Sequence, residues 1–129
     1  MKKQKFSKEF EIFSRACEEG IQILGLTRFR REYQQKYTEN ALASCHWDFD
    51  AARVTFSLCN KGENACRSLD AAVESAAHEC LELLLAETDN FIRRNALYCD
   101  RVEIMRHAQI SALEPMLIEA IGKKIWRRP

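Results

Sequence analysis

The sequence is poor in net charge and in the residues that interrupt regular secondary structure. Four glycines and two prolines in 129 residues exclude a collagen-like repeat or a long flexible linker. The formal net charge of +1 removes the argument for binding nucleic acid or an anionic membrane through a general positive field. With 47% apolar residues, the chain is expected to form one domain, residues 1–129, around a single core.

The sequence also lacks an export signal and any long apolar segment. Charged residues recur through the N-terminal stretch MKKQKFSKEFEIF, where a signal peptide would be apolar. No apolar run reaches the roughly 18 residues of a membrane span. We therefore expect a soluble, cytoplasmic protein. The six cysteines are scattered without a CxxC pair, so we expect reduced thiols, most of them buried.

Hydrophobic spacing predicts the secondary structure of the N-terminal half. Apolar side chains recur every three or four positions between residues 6 and 24, which is typical of a helix packed on a core, and Gly25 is placed to end that helix. Residues 43–49 and 54–58 alternate between apolar and polar instead, and the short connection between them predicts an antiparallel hairpin. Residues 27–37 are a candidate third strand.

Helical patterns occupy the C-terminal half. Ser68 is placed to cap a helix that runs to about Ala86, and Asp100 indicates a second helix start. Pro115 interrupts the second pattern, so residues 116–126 are expected to form a kinked continuation or a separate helix. The sequence thus predicts an α+β domain with an N-terminal helix, a small antiparallel sheet of two or three strands, and C-terminal helices.

The predicted helix after Ser68 contains the sequence HECLE at positions 78–82. His78 and Glu82 are four residues apart and so lie only about 40° apart around the helix axis. A divalent ion needs donor atoms a few ångströms apart, and this spacing provides them with little ordering cost. Glu79 matches the glutamate that activates a metal-bound water in HExxH helices, although a carboxylate here replaces the second histidine. An ordinary ion pair between His78 and Glu82 is the alternative.

A third metal ligand is expected from the following helix. His107 and Glu103, which lies one turn before it, are both available. Because Glu103 also fits the capping box that Asp100 begins, His107 is the preferred ligand. The basic residues at 123–128 are expected to form a solvated terminus, so binding of nucleic acid is not expected.

The segments AAHECLELLL and RHAQISALE resemble small zincin-like metallopeptidases associated with phages and prophages, which carry a HExxExLL helix and a later RHA…LE helix. The likeness extends over about residues 47–117. It implies a minimal zincin-like domain in which His78, Glu82 and His107 hold a zinc ion and Glu79 is the catalytic base. Manganese and iron are less expected than zinc, but a carboxylate oxygen ligand is compatible with both.

The resemblance also implies a substrate and a way of binding it. In zincins the strand before the metal helix lies along the cleft, so the strand from Arg53 to Cys59 is the expected pairing edge for an extended peptide or protein substrate. The predicted function is a zinc-dependent metallopeptidase in which a metal-activated water hydrolyses a peptide bond. A zincin-like binding or regulatory module without turnover is one alternative. A metal-free protein in which His78 and Glu82 simply pair is the other.

Overall fold

The computed structural model describes residues 5–94 and 100–126, and it describes the side chains in these ranges except at 87–88, 91–94 and 100–103. These residues form three helices and one three-stranded sheet, which confirms the α+β class with an N-terminal helix and C-terminal helices. In chain order the elements are α1 (Lys8–Leu24), β1 (Arg30–Gln35), β2 (Ala43–Asp48), β3 (Arg53–Leu58), α2 (Leu69–Arg94) and α3 (Asp100–Ile125). No helix in the described ranges is long and apolar enough to cross a membrane.

The sheet has the strand order β1-β3-β2. β2 and β3 pair antiparallel, with Ala43 opposite Leu58, as the alternating pattern predicts. β1 pairs with β3 in parallel, so the sheet is mixed and the prediction of a wholly antiparallel sheet is wrong. The reason is the connection at residues 36–42, which crosses the end of β3 before β2 begins. It therefore places β1 and β2 on opposite sides of the central strand β3.

The central position of β3 corrects the strand expected to bind substrate. The strand from Arg53 to Cys59 is hydrogen-bonded to β1 on one side and to β2 on the other, so it offers no open edge to an added peptide. Within the described part of the chain the edge strands are β1 and β2. Alternating hydrophobicity indicated which residues form strands but carried no information about which strand is central.

Helix α1 begins and ends at residues whose chemistry satisfies free backbone groups. The Ser7 hydroxyl accepts a hydrogen bond from Phe10 N at 3.1 Å, which is the usual role of serine before a helix. Gly25 adopts a left-handed conformation with φ +70°, which glycine takes without steric cost, so the predicted helix end is confirmed. Between these ends, Phe13 and Ile21 are fully buried and anchor α1 to the core.

Helices α2 and α3 are both longer than the sequence patterns indicated. The Ser68 hydroxyl accepts a hydrogen bond from Ala71 N at 3.0 Å and starts α2 at the predicted place. The helix then passes Ala86 and is described as far as Arg94. Pro115 lies inside α3, which runs as one helix to Ile125. Proline removes one backbone hydrogen bond, and burial of residues such as Ile121 on the core side of α3 offsets that loss.

The described cysteines are free thiols. Cys17, Cys59, Cys66 and Cys80 are buried, Cys45 is half-buried, and Cys99 lies outside the described residues. Burial raises the pKa of the Cys17 and Cys45 thiols, which keeps them protonated and slow to oxidise. Packing around one thiol is tight, since a Cβ added at Gly20 of α1 would lie 2.7 Å from Cys80 Sγ.

We therefore expect all six cysteines to be reduced in freshly prepared protein. Alkylation under denaturing, non-reducing conditions should add six modifying groups per chain, counted by intact mass. A sample reduced before alkylation is the control and should give the same mass. A mass that corresponds to four groups in the unreduced sample would establish a disulfide and contradict the expectation.

Candidate metal centre

His78 and Glu82 lie together on one face of α2, at the margin of the core. Nε2 of His78 is 3.5 Å from Oε1 of Glu82, and the two side chains are 42% and 15% exposed. Zinc–ligand bonds of about 2.0–2.1 Å in tetrahedral geometry separate two donor atoms by about 3.4 Å. The pair therefore has a separation that fits two ligands of one ion, and the partly exposed imidazole gives access from solvent.

Glu114 of α3 is a partner of His78 that the sequence analysis did not identify. Its Oε1 is 2.5 Å from Nδ1 of His78, the ring nitrogen that does not face Glu82. A signal for it was present, because Glu114 falls in register with the buried residues Ile110, Leu117 and Ile121 of α3. A carboxylate on the core side of a helix requires a polar partner, and the imidazole supplies it.

The two carboxylates control the charge of His78. The hydrogen bond to Glu82 and then the bond to Glu114 raise the pKa of His78 to about 9, against an opposing effect of partial burial. The same interaction with His78 is the main cause that lowers the pKa of Glu82. The imidazole is therefore a cation between two carboxylates at neutral pH, and a metal ion must displace the proton on Nε2 to bind there.

Arg106 of α3 adds a second cation to this cluster. Its guanidinium Nη2 lies 3.9 Å from Oε2 of Glu82, and Nη1 lies 3.5 Å from Oδ2 of Asp89. All three side chains are less than a fifth exposed. Charges in such surroundings are screened little by solvent, so this chain of ion pairs joins α2 to α3 and partly neutralises Glu82.

Glu79 follows His78 on α2 and lies about 100° from it around the helix axis, on the neighbouring face. Burial, followed by repulsion from Glu82, raises its pKa to about 7, although the charge of His78 opposes the rise. The charge of Glu79 in turn contributes to the raised pKa of Cys45 on β2. A half-buried carboxyl that titrates near neutrality has the property that a general base requires.

His107 does not join His78 and Glu82 in one cluster. Its side chain is exposed, and it acts on the pKa of Glu82 only through its charge, whereas the neighbouring Arg106 forms the ion pair. The side chain of Glu103, the other candidate, lies outside the described residues. The described part of the chain contains no group of three or more histidine, cysteine, aspartate or glutamate side chains placed to hold one ion. His107 as the third ligand stays a prediction.

The residues brought together by the fold are thus His78, Glu82 and Glu114, with Glu79 next to them. This arrangement can hold an ion through two donors on α2, or it can exist as an ion-pair cluster with Arg106. Comparison of the chain with protein-family models, curated proteins and solved structures finds no match, so the resemblance to zincins remains an expectation based on the two helical motifs.

Proposed function

We propose that this protein is a zinc-dependent peptidase of the zincin type, in which His78 and Glu82 hold the ion and His107 is the expected third ligand. The observation that carries the proposal is the separation of 3.5 Å between His78 Nε2 and Glu82 Oε1 on one helix face. That distance suits two ligands of one ion.

Glu79 has the catalytic role in this proposal. When bound, the ion would lower the pKa of a water molecule toward neutrality and polarise a peptide carbonyl. Glu79 accepts a proton from the attacking water and passes it to the leaving amine nitrogen. Its position off the ligand face leaves its carboxylate free for proton transfer, and its partial burial keeps competing water away from it.

The proposed peptide-binding edge is β2 instead of β3. β2 packs against α2, and Cys45 on β2 interacts electrostatically with both Glu79 and Glu82. Cys59 N donates a hydrogen bond to Leu42 O at 2.7 Å. Hydrogen-bonded and non-hydrogen-bonded pairs alternate along an antiparallel ladder. The backbone N–H and C=O groups of Ala43, Cys45 and Trp47 therefore point away from β3, toward the open edge of β2. An extended peptide that pairs with these groups lies alongside the metal helix.

A second candidate is the metal-free protein in which His78 and Glu82 simply pair. Arg106 supports it, because a guanidinium 3.9 Å from Glu82 Oε2 opposes the approach of another cation. In this case His78, Glu82, Arg106 and Asp89 serve to join α2 to α3. The two candidates differ in one measurable property, which is whether the chain binds zinc.

Zinc is expected to stabilise the fold. An ion present at 100 times its dissociation constant adds about 2.7 kcal/mol to the free energy of unfolding, which for a domain of this size raises the melting temperature by roughly 10 °C. Thermal melts with zinc and with excess chelator measure the shift. His78→Ala and His107→Ala should both lose the response, while His46→Ala, at an exposed position of β2, should keep it.

The pattern of responses separates the proposals. A zinc response in His78→Ala equal to that of wild type would exclude His78 as a ligand. A full response in His107→Ala alone would remove His107 from the ligand set and leave the centre on α2 in place. No response in wild type would favour the metal-free protein.

A further inference from the structure

We infer that two copies of this chain form a symmetric dimer through the outer face of α3, which consists of Met105, Ala108, Ala112 and Met116. These four positions lie within about 80° of one another around the helix axis. The outer face points away from α2, which α3 contacts through Glu114 on its other side. The dimer involves no metal ion and is independent of the proposed function.

The outer face is apolar and exposed. Met105 and Met116 are 59% and 70% exposed, and the two alanines between them are exposed as well. Ile104 and Leu113, which border the face, are 67% and 38% exposed. Helix α3 packs on α1 and α2 with its opposite side, so no described element covers this one. A continuous run of exposed apolar side chains marks an interaction surface.

The outer face carries no charge, which indicates the kind of partner that fits it. The ionisable side chains between Met105 and Met116 belong to Arg106, His107 and Glu114, and all three lie more than about 100° from the centre of the face. Without lysine or arginine, the face provides no attraction for anionic lipids or nucleic acid. Its complement is another uncharged apolar surface, and a second copy of the chain supplies one.

The order of side chains along the outer face favours an antiparallel pair. Large, small, small, large reads the same in both directions, as the self-complementary patch of a two-fold dimer requires. An antiparallel pair places Met105 beside Met116 of the partner subunit, with the alanines where the helices come closest. A parallel pair would instead bring together two copies each of the exposed Glu119 and Lys123, and like charges repel.

The surface area of the chain is sufficient for such an interface. The chain exposes 8605 Å², whereas a folded monomer of 15.0 kDa exposes on the order of 7000 Å². A stable interface of ordinary size removes about 800 Å² from each partner, which is less than this difference. The chain can therefore bury an interface on the outer face and keep the surface expected of a folded domain.

Sedimentation equilibrium of the full chain in excess chelator tests for the dimer. An interface made by one helix face is small, so we expect a dissociation constant on the order of 10 µM. Met116→Glu buries an unpaired charge in the interface and should weaken dimerisation about 10-fold or more. Ile23→Glu is the matched control, because Ile23 is 42% exposed on α1, away from the outer face, and this variant should dimerise as wild type does.

A pair of substitutions tests the antiparallel arrangement. Met105→Lys alone should weaken dimerisation as Met116→Glu does. When both are present in one chain, opposite charges face each other across the antiparallel interface, so most of the lost affinity should return. In a parallel dimer the same double variant would bring like charges together and dimerise more weakly than either single variant. Circular dichroism checks that each variant is folded.

Each contrary result has a distinct meaning. Wild type that stays monomeric at the highest concentration would overturn the inference; if that monomer binds phosphatidylcholine vesicles and Met116→Glu does not, the face binds a membrane instead. A dimer that survives both single substitutions would place the interface elsewhere and overturn the inference as well. No recovery in the double variant would overturn the antiparallel arrangement. Zinc binding is measured separately, so none of these results decides the proposed function.

Discussion

Glu79→Gln is expected to lower peptide hydrolysis by the zinc-loaded protein about 10²- to 10⁴-fold, the range usual for loss of a general base. Glutamine preserves the size and the hydrogen-bonding capacity of the side chain but cannot accept the proton from water. Because Glu79 is off the ligand face, the zinc affinity of the Glu79→Gln variant should remain near that of wild type. Cleavage of a broad peptide library, followed by mass spectrometry, and zinc content per chain measure the two properties separately.

Glu82→Gln is the matched comparison on the same helix. It removes an anionic ligand and a partner of His78, so zinc retention should fall and hydrolysis should fall with it. Hydrolysis by Glu79→Gln at the wild-type rate would show that the catalytic assignment is wrong. If zinc-loaded wild type cleaves no peptide in the library, the chain is better described as a binding module that has kept the metal.

In the metal-free protein, the same Glu79→Gln substitution is expected to stabilise the fold above pH 7 by about 3 kcal/mol. Burial raises the pKa of Glu79 from 4.5 to about 7. An acid whose pKa is raised on folding contributes its stability below its unfolded pKa and loses it as the pH rises through the folded value. Wild type therefore loses this contribution between about pH 4.5 and 7, whereas the glutamine variant has no proton to lose.

Denaturant unfolding with excess chelator at pH 5 and pH 8.5 measures this effect. His78, with a pKa raised from 6.5 to about 9, contributes stability that is present below pH 6.5 and lost as the pH rises through 9. Because both proteins contain His78, comparison of the variant with wild type cancels most of that change. A difference of the same size at both pH values would contradict the raised pKa of Glu79.

If both predictions are confirmed, Glu79 is a residue that favours activity at the expense of stability. A carboxylate half-buried beside Glu82 is unfavourable for folding, yet its surroundings bring its pKa to the range in which proton transfer at neutral pH is efficient. Residues of this kind are characteristic of functional sites.

Local patterns were sufficient for much of the fold. The helical spacing and Gly25 located α1, because a helix end depends on the conformation of one residue and on its nearest neighbours. The alternation of apolar and polar residues located β2 and β3, because this pattern also depends only on neighbouring positions in the chain. Pro115 was misleading, because the lost hydrogen bond is a local effect, whereas the burial of Ile121 and the other residues beyond it depends on α1 and α2.

The sequence by itself determined that His78 and Glu82 share a face, because positions four apart on any α-helix do so. It also placed Glu79 beside them. Only the tertiary structure decided that Glu114 contacts His78, that Arg106 rather than His107 pairs with Glu82, and that β3 is the central strand. These contacts join residues distant along the chain, and they depend on how α3 packs on α2 and on which side of β3 the strand β1 lies, neither of which is encoded in the spacing of residues within one element.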